Sequence, residues 1–198
     1  KPLRFLGTKL SMRTGGRLSA GIRLGLRSGF DSGASLDYVY RNKPTGFTPI
    51  GTMVDYGYLN AIGWRGIRIR KTHIEKLLAR IGAERSMNLL DIAAGHGRYV
   101  LDALPANATA LLRDFDAANV AAGRELIASR SLSSRVRFER ADAFDPATYQ
   151  GLHHNAAIIS GLFELFPDNE PVRRALAGVG SAVEPGGYLL YTGQPWHP

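Results

Sequence analysis

The stretch Asp91-Ile92-Ala93-Ala94-Gly95-His96-Gly97-Arg98-Tyr99 is where residue types and spacing first suggest chemistry. Gly95 and Gly97 lack a Cβ, so the backbone there can approach a ligand closely and adopt positive φ. A dinucleotide fingerprint reads Gly-x-Gly-x-x-Gly, with the pyrophosphate on a helix N-terminus. Here Val100 occupies the third glycine position, and Asp91 stands four residues before the first glycine. A carboxylate repels a phosphate and attracts a cationic or amino-bearing ligand. No Gly-Lys-Ser/Thr occurs, which excludes a P-loop. The turn suits a nucleoside ligand without phosphates.

Other reactive types narrow the field. The chain has no cysteine, which rules out a disulfide framework, thiolate metal sites and cysteine nucleophiles. His153 and His154 are adjacent before a strand, so their side chains point in different directions. A solvated loop is expected there, and no metal site. His96 lies inside the turn, where backbone contact with a ligand is the expectation.

Alternating strands and helices must position these groups. Asn88–Ala93 reads as a buried strand leading into the glycine turn and then a helix through Leu104. Thr109–Asp114 reads as a second strand, with Asp116 placed to cap a helix over Ala117–Ser129. Arg135–Arg140 and Asn155–Ser160 follow as strands, then a helix from Asn169 to near Gly180. Gly187–Thr192 is a fifth strand, introduced by the turn Glu184-Pro185-Gly186. Five strands with helical crossovers predict an α/β fold. It is a Rossmann-like, doubly wound parallel sheet that binds ligands at the carboxyl ends of its strands.

Upstream the pattern differs. Residues 1–35 are rich in Gly, Ser, Arg and Leu, and their glycines weaken any helix by about 1 kcal/mol each. The segment ending at Gly51 is turn-rich, with Pro44, Gly46, Pro49 and Gly51 as breakers. Val54–Ala61 has helical periodicity, and Arg68–Ile81 reads as an amphipathic helix. The chain of 198 residues is 44% hydrophobic and carries a net charge of +8. Residues 1–86 hold a net +11 and residues 87–198 a net −3, so the basic character belongs to an appendage. The expected division is a basic extension and helical lid over 1–86 and a ligand-binding core over 87–198. No apolar run approaches the roughly 20 residues of a membrane span, and no signal-peptide h-region is visible. A cytoplasmic location is the expectation.

Asp-x-Ala-x-Gly-x-Gly after the first strand resembles motif I of the class I S-adenosylmethionine-dependent methyltransferases. The other cofactor motifs of that class follow in order, and the resemblance covers nearly the whole chain. It implies cofactor contacts from Asp91, Ala93, Gly95 and Gly97 around the turn. It implies that Asp114, ending the second strand, holds the ribose hydroxyls. Asp142, with Ala143 beside it, matches the acid that contacts the adenine amino group. Ser160 and Gly161 close the fourth strand, where the methionine end of the cofactor lies. The segments GWRGIRIRK, DIAAGHGRY and SGLFELFPDN look similar to a bacterial methyltransferase family whose members can be fused behind an α/β-hydrolase-like domain. A fused or neighbouring domain of that kind is therefore an expected partner.

Methyl transfer is an in-line displacement, so positioning dominates and a base serves only where the nucleophile needs deprotonation. Tyr99, Glu164 and His197 are the substrate-facing candidates, none with a spacing that marks it as a base. Amino-directed nucleic-acid methyltransferases carry an Asn/Asp-Pro-Pro-aromatic motif where this chain has Ser160-Gly161-Leu162-Phe163. A small-molecule or lipid-like acceptor is therefore expected, rather than a nucleic acid. Trp64, Tyr56, Tyr58, Arg65 and Arg68 lie in the expected lid. An alternative is a non-catalytic Rossmann-like module docking on nucleic acid or an anionic membrane through its basic segment 1–43. The class usually adds two further strands after the fifth, about 50 residues by ordinary element lengths. Their position lies beyond Pro198, so the core is expected to be C-terminally incomplete. A bare fifth strand would be an edge for the N-terminal segment or a second subunit to cover.

Overall fold

A computed structural model describes residues 15–193, which form two compact units divided between His73 and Ile74. His197 and residues 1–14 of the basic segment lie outside the described residues.

In the first unit a short 3-10 turn, Gly15–Leu18, leads into α1 (Ala20–Ser28), α2 (Gly33–Arg41) and α3 (Pro49–Leu59). The long helix α4 (Ile62–Glu84) begins here. Each of the first three helices opens on a hydroxyl cap. Ser19 accepts from Ile22 N, Ser32 from Ser35 N and Thr48 from Gly51 N, satisfying amide groups that the helix leaves unpaired. Pro49, expected to break structure, is instead the first residue of α3, where its missing N–H costs nothing. Helix α2 is an addition to the helices read from the sequence. Helix α4 runs well beyond the predicted Arg68–Ile81 at both ends.

The glycines of α1 have a packing reason. A Cβ on Gly21 would lie 2.5 Å from the Tyr58 ring, and one on Gly25 would lie 2.3 Å from Phe30. Tyr38, Val39 and Leu59 form the centre of this small core, with Leu24, Tyr58, Trp64 and Ile67 packed around it. A buried carboxylate, Asp55 of α3, ties the unit together. It accepts from Ser19 Oγ at 2.5 Å, from Gly21 N and Thr45 N at 2.8 Å each, and from the Tyr38 hydroxyl. Burial and the Asp55 carboxylate hold the Tyr38 phenol above its usual value. A buried charge is tolerable only when surrounded by donors, and Asp55 has four.

The second unit is the expected parallel sheet. Its strands are β1 (Asn88–Ile92), β2 (Thr109–Asp114), β3 (Val136–Arg140), β4 (His154–Ile159) and β5 (Val183–Tyr191). They lie in the order β3-β2-β1-β4-β5, all parallel. β1 and β4 are interior strands and almost wholly buried, which is why Leu89, Leu90 and Ile92 of the one and Ala156–Ile159 of the other are apolar. Leu90, Ile92, Leu111, Ala157, Ile159 and Val179 belong to one core cluster. Each large aliphatic side chain buried there contributes about 1.5–3 kcal/mol.

Helices α5 (Arg98–Leu101), α6 (Ala117–Ser129) and α7 (Asn169–Ala182) make the crossovers. Asp116 caps α6 by accepting from Ala118 N, as its position predicts. The helix expected to reach Leu104 stops at Leu101, and Pro105 disfavours helical geometry at Leu104. The turn expected before the fifth strand is an irregularity inside β5. Val183 pairs with His154 and Tyr188 with Ala156, so Glu184–Gly187 bulge out, with Gly186 at φ 78°. His154 corrects a second expectation. It is the first residue of β4 and is buried, while His153 is exposed. Burial pushes the His154 imidazole below its usual 6.5. Among the described residues, no group of three or more His, Asp or Glu could hold a metal ion. No described helix is long and apolar enough to cross a membrane.

Candidate functional site

The carboxyl ends of β1, β2, β3 and β4 bring together the acidic, glycine and serine positions singled out in the sequence. The chain leaves β1 through three alternate positions at positive φ, Ala93 at 59°, Gly95 at 59° and Gly97 at 72°. The first is not a glycine. An Ala held in the left-handed region costs about 1–2 kcal/mol, and such strain collects where a loop is shaped for a ligand. The loop is locked from below, since Ala94 N donates to Arg113 O at 2.9 Å and Gly97 N to Ala94 O at 2.8 Å. Gly97 also clears its neighbour, because a Cβ there would lie 2.5 Å from Leu112 Cδ1. The His96 carbonyl sits 3.3 Å from where a Cβ on Gly123 would stand, so the loop rests on α6.

Asp91 is the residue of β1 that an apolar strand has least reason to hold. It is 0% exposed, and its Oδ1 accepts from the Tyr99 hydroxyl at 2.5 Å. Its Oδ2 is buried without a partner. Burial pushes this carboxyl well above its ordinary value, the Tyr99 hydroxyl opposes that, and the Asp114 charge adds to it. Asp91 pairs in register with Leu112, two residues before Asp114, so Asp91 and Asp114 face the same side of the sheet.

Asp114 is clamped through both oxygens. Oδ2 accepts from Gly95 N at 2.8 Å, and Oδ1 accepts from Asp116 N at 2.9 Å and Asn119 Nδ2 at 3.1 Å. Asp142 follows β3, its Oδ1 accepting from Phe144 N at 2.8 Å, while the Ala143 carbonyl accepts from the Tyr149 hydroxyl at 2.7 Å. Burial pushes that Tyr149 phenol up to about 12, so it stays a donor. Asp145 has a different task, accepting from Ala147 N to cap the next 3-10 turn.

Ser160 follows β4, and its Oγ is buried with no partner. Gly161, at φ 78°, donates its N–H to Thr192 Oγ1 at 2.8 Å, and the Thr192 hydroxyl in turn meets Glu164 Oε1 at 3.2 Å. Around this corner Phe144 stacks edge-on against Phe166 at 4.8 Å, and Phe163 lies 6.4 Å from Tyr191.

Two of the three substrate-facing candidates can be placed. Tyr99 is buried, and its hydroxyl donates to Asp91. Glu164 is half-buried at the ends of β4 and β5, held by Thr192. His197 lies outside the described residues. Thr192 and Asn119 are site residues that the sequence did not single out. A hydroxyl closing the strand beside β4 was the available signal for Thr192.

Known proteins resemble this chain in sequence and in fold. The chain is 54% identical to "Uncharacterized protein YnbC" of Escherichia coli K12, a match covering 95% of this chain and 34% of that protein. The chain thus spans about a third of the length of that curated relative. Among solved structures, an O-methyltransferase family protein from Burkholderia thailandensis superposes with a TM-score of 0.56 at 21% identity. That superposition covers 86% of this chain and 52% of the other. The glycopeptide N-methyltransferase MtfA gives a TM-score of 0.52 at 23% identity, covering 60% of this chain and 52% of its own. At these identities the two structures establish a shared fold, the Rossmann-like methyltransferase fold. Residues 1–198 match the family described as "Putative methyltransferase", and the chain belongs to that family.

Proposed function

We propose that this chain binds S-adenosylmethionine along the carboxyl ends of β1 to β4 and takes part in methyl transfer to a small-molecule or lipid-like acceptor. One observation carries the reading. Asp91 Oδ2 and Ser160 Oγ are buried polar atoms without partners, on neighbouring strands at the mouth of a strained loop. A buried unpaired acceptor costs about 1–3 kcal/mol unless a ligand satisfies it. An ammonium group with a polar chain is the chemistry that suits both atoms, and the methionine portion of the cofactor has it.

Asp91 would receive the ammonium, with Tyr99 as its positioning residue. Asp114 would accept the ribose hydroxyls on lone pairs not used by Gly95, Asp116 and Asn119. Asp142 and Ala143 would face the adenine, and Ala93, Gly95, Gly97 and Gly161 would give the backbone its close approach. S-adenosylmethionine, when bound, supplies an electrophilic methyl on a sulfonium. The chain's own contribution is orientation and exclusion of water. Glu164, which accepts from the Thr192 hydroxyl, would take a proton from an acceptor hydroxyl or amine. Phe144, Phe163, Phe166 and Tyr191 give that corner an aromatic lining, which supports an apolar acceptor.

Calorimetric titration with S-adenosylmethionine and S-adenosylhomocysteine tests the reading. Micromolar binding by the wild type is expected, with Asp91→Asn and Asp114→Ala each at least tenfold weaker, about 1.4 kcal/mol. A folded chain that binds neither ligand, or variants that bind as well as the wild type, would overturn it.

A further inference from the structure

Helix α3 carries large apolar side chains on its outer face as well as its inner one. Its one charged residue, Asp55, is buried along with Gly51 and Leu59, while Ile50, Met53 and Tyr56 are 63%, 69% and 61% exposed. Those three recur every third residue, so they share one face of the helix. Phe47, just before α3, is 75% exposed, and Ile62, just after it, is 90% exposed. An outward apolar face of this extent marks an interaction surface.

Cations border it. The Arg23 guanidinium lies 3.7 Å over the Phe47 ring, and Phe47 N donates to Leu18 O at 3.3 Å, beside Arg17. Arg17, Arg23 and Arg27, with Leu24 and Leu26, line a groove of about 570 Å³. Residues 15–73 contain nine Lys or Arg and three Asp, with no Glu. Asp55 is buried and Asp37 is buried against Arg41, so Asp31 is the one exposed acid among the described residues of this unit.

We propose that the outward face of α3 and the arginines beside it seat this chain on an anionic lipid bilayer. Only a partner that is apolar inside and anionic at its surface matches both features. Phe47, Ile50 and Met53 enter the boundary between headgroups and acyl chains, Tyr56 sits at headgroup level, and Arg17 and Arg23 meet lipid phosphates. A nucleic acid would neutralise the arginines and leave the apolar face in water. This inference goes beyond the proposed methyl transfer and does not depend on it.

Co-sedimentation with vesicles of phosphatidylcholine, alone or mixed with phosphatidylglycerol, tests it. The chain should bind the mixed vesicles, ignore the neutral ones and release as salt rises. The partition coefficient should fall about fivefold for each of Arg17→Ser and Arg23→Ser, and binding should be lost in the Ile50→Ser, Met53→Ser double variant. All four side chains lie on the surface or rim of the unit, so circular dichroism and cofactor titration should match the wild type. Failure to bind mixed vesicles, equal binding to neutral ones, or wild-type binding by the double variant would overturn the proposal. So would an RNA oligonucleotide bound in preference to vesicles and unaffected by the double variant. A dimer abolished by that variant would assign the face to a second copy of the chain instead.

Discussion

Replacing Tyr99 with Phe removes one hydroxyl and keeps the ring that packs in α5. The hydroxyl donates at 2.5 Å to Asp91, which is 0% exposed, so the variant takes a hydrogen bond from a carboxylate that water cannot reach. A hydrogen bond to a charged group is worth about 1.5–3 kcal/mol, against about 1 kcal/mol for a neutral one. The loss therefore depends on whether Asp91 is ionised. Its native pKa is raised above the ordinary 3.8, and Tyr99 is the influence that lowers it, so Tyr99→Phe moves it higher still.

The sign follows from proton counting. Between the ordinary value and the native one, the folded state holds a proton that the unfolded state has released, so stability falls as pH rises. The slope is at most about 1.4 kcal/mol per pH unit for one group. In the wild type the fall ends at the native pKa, and in the variant it continues further. The stability gap between them should be about 1 kcal/mol in acid and widen to about 1.5–3 kcal/mol as pH rises through the wild-type native pKa. Urea unfolding followed by far-ultraviolet circular dichroism at a series of pH values reads the gap. A gap that stays constant or narrows with rising pH would refute the link between Tyr99 and the charge on Asp91. Affinity for S-adenosylmethionine should drop about tenfold in the same variant, the readout that a purely structural Tyr99 would leave unchanged.

Further outcomes follow from the same geometry. Gly97→Val forces a left-handed φ on a branched residue and drives a Cβ to 2.5 Å from Leu112 Cδ1. It should cost about 2–4 kcal/mol in urea unfolding and abolish cofactor binding in calorimetry. Ala93→Gly relieves φ 59° and should raise stability by about 1 kcal/mol by the same unfolding assay. Asp55→Ala leaves the donors on Ser19, Gly21, Tyr38 and Thr45 without their acceptor. It should destabilise the first unit by about 3–5 kcal/mol, followed through Trp64 fluorescence, with cofactor affinity measured separately by calorimetry.

Much of this protein was legible without coordinates, because the signals involved are local. The strands over Asn88–Ile92 and Thr109–Asp114 follow from apolar runs bounded by turn residues, and the α6 cap follows from Asp116 standing directly before the helix. The spacing Asp91, Gly95, Gly97 describes one strand end and one loop, so its geometry is set within a few residues.

What the tertiary structure alone decided depends on partners far apart in the chain. Ser19 and Asp55 are 36 residues apart, and Gly161 and Thr192 are 31 apart, distances across which no periodicity carries information. The hydroxyl of Tyr99 looked able to face a substrate until packing placed it against Asp91. His154 looked solvated until β4 buried it. Helix α3 shows the limit most clearly, since Ile50, Met53 and Tyr56 lie outward while Asp55 lies inward beside Leu59. Composition and spacing give a helix two faces. Which face turns inward is decided by where the donors for Asp55 come to lie, and three of the four come from residues 19–38.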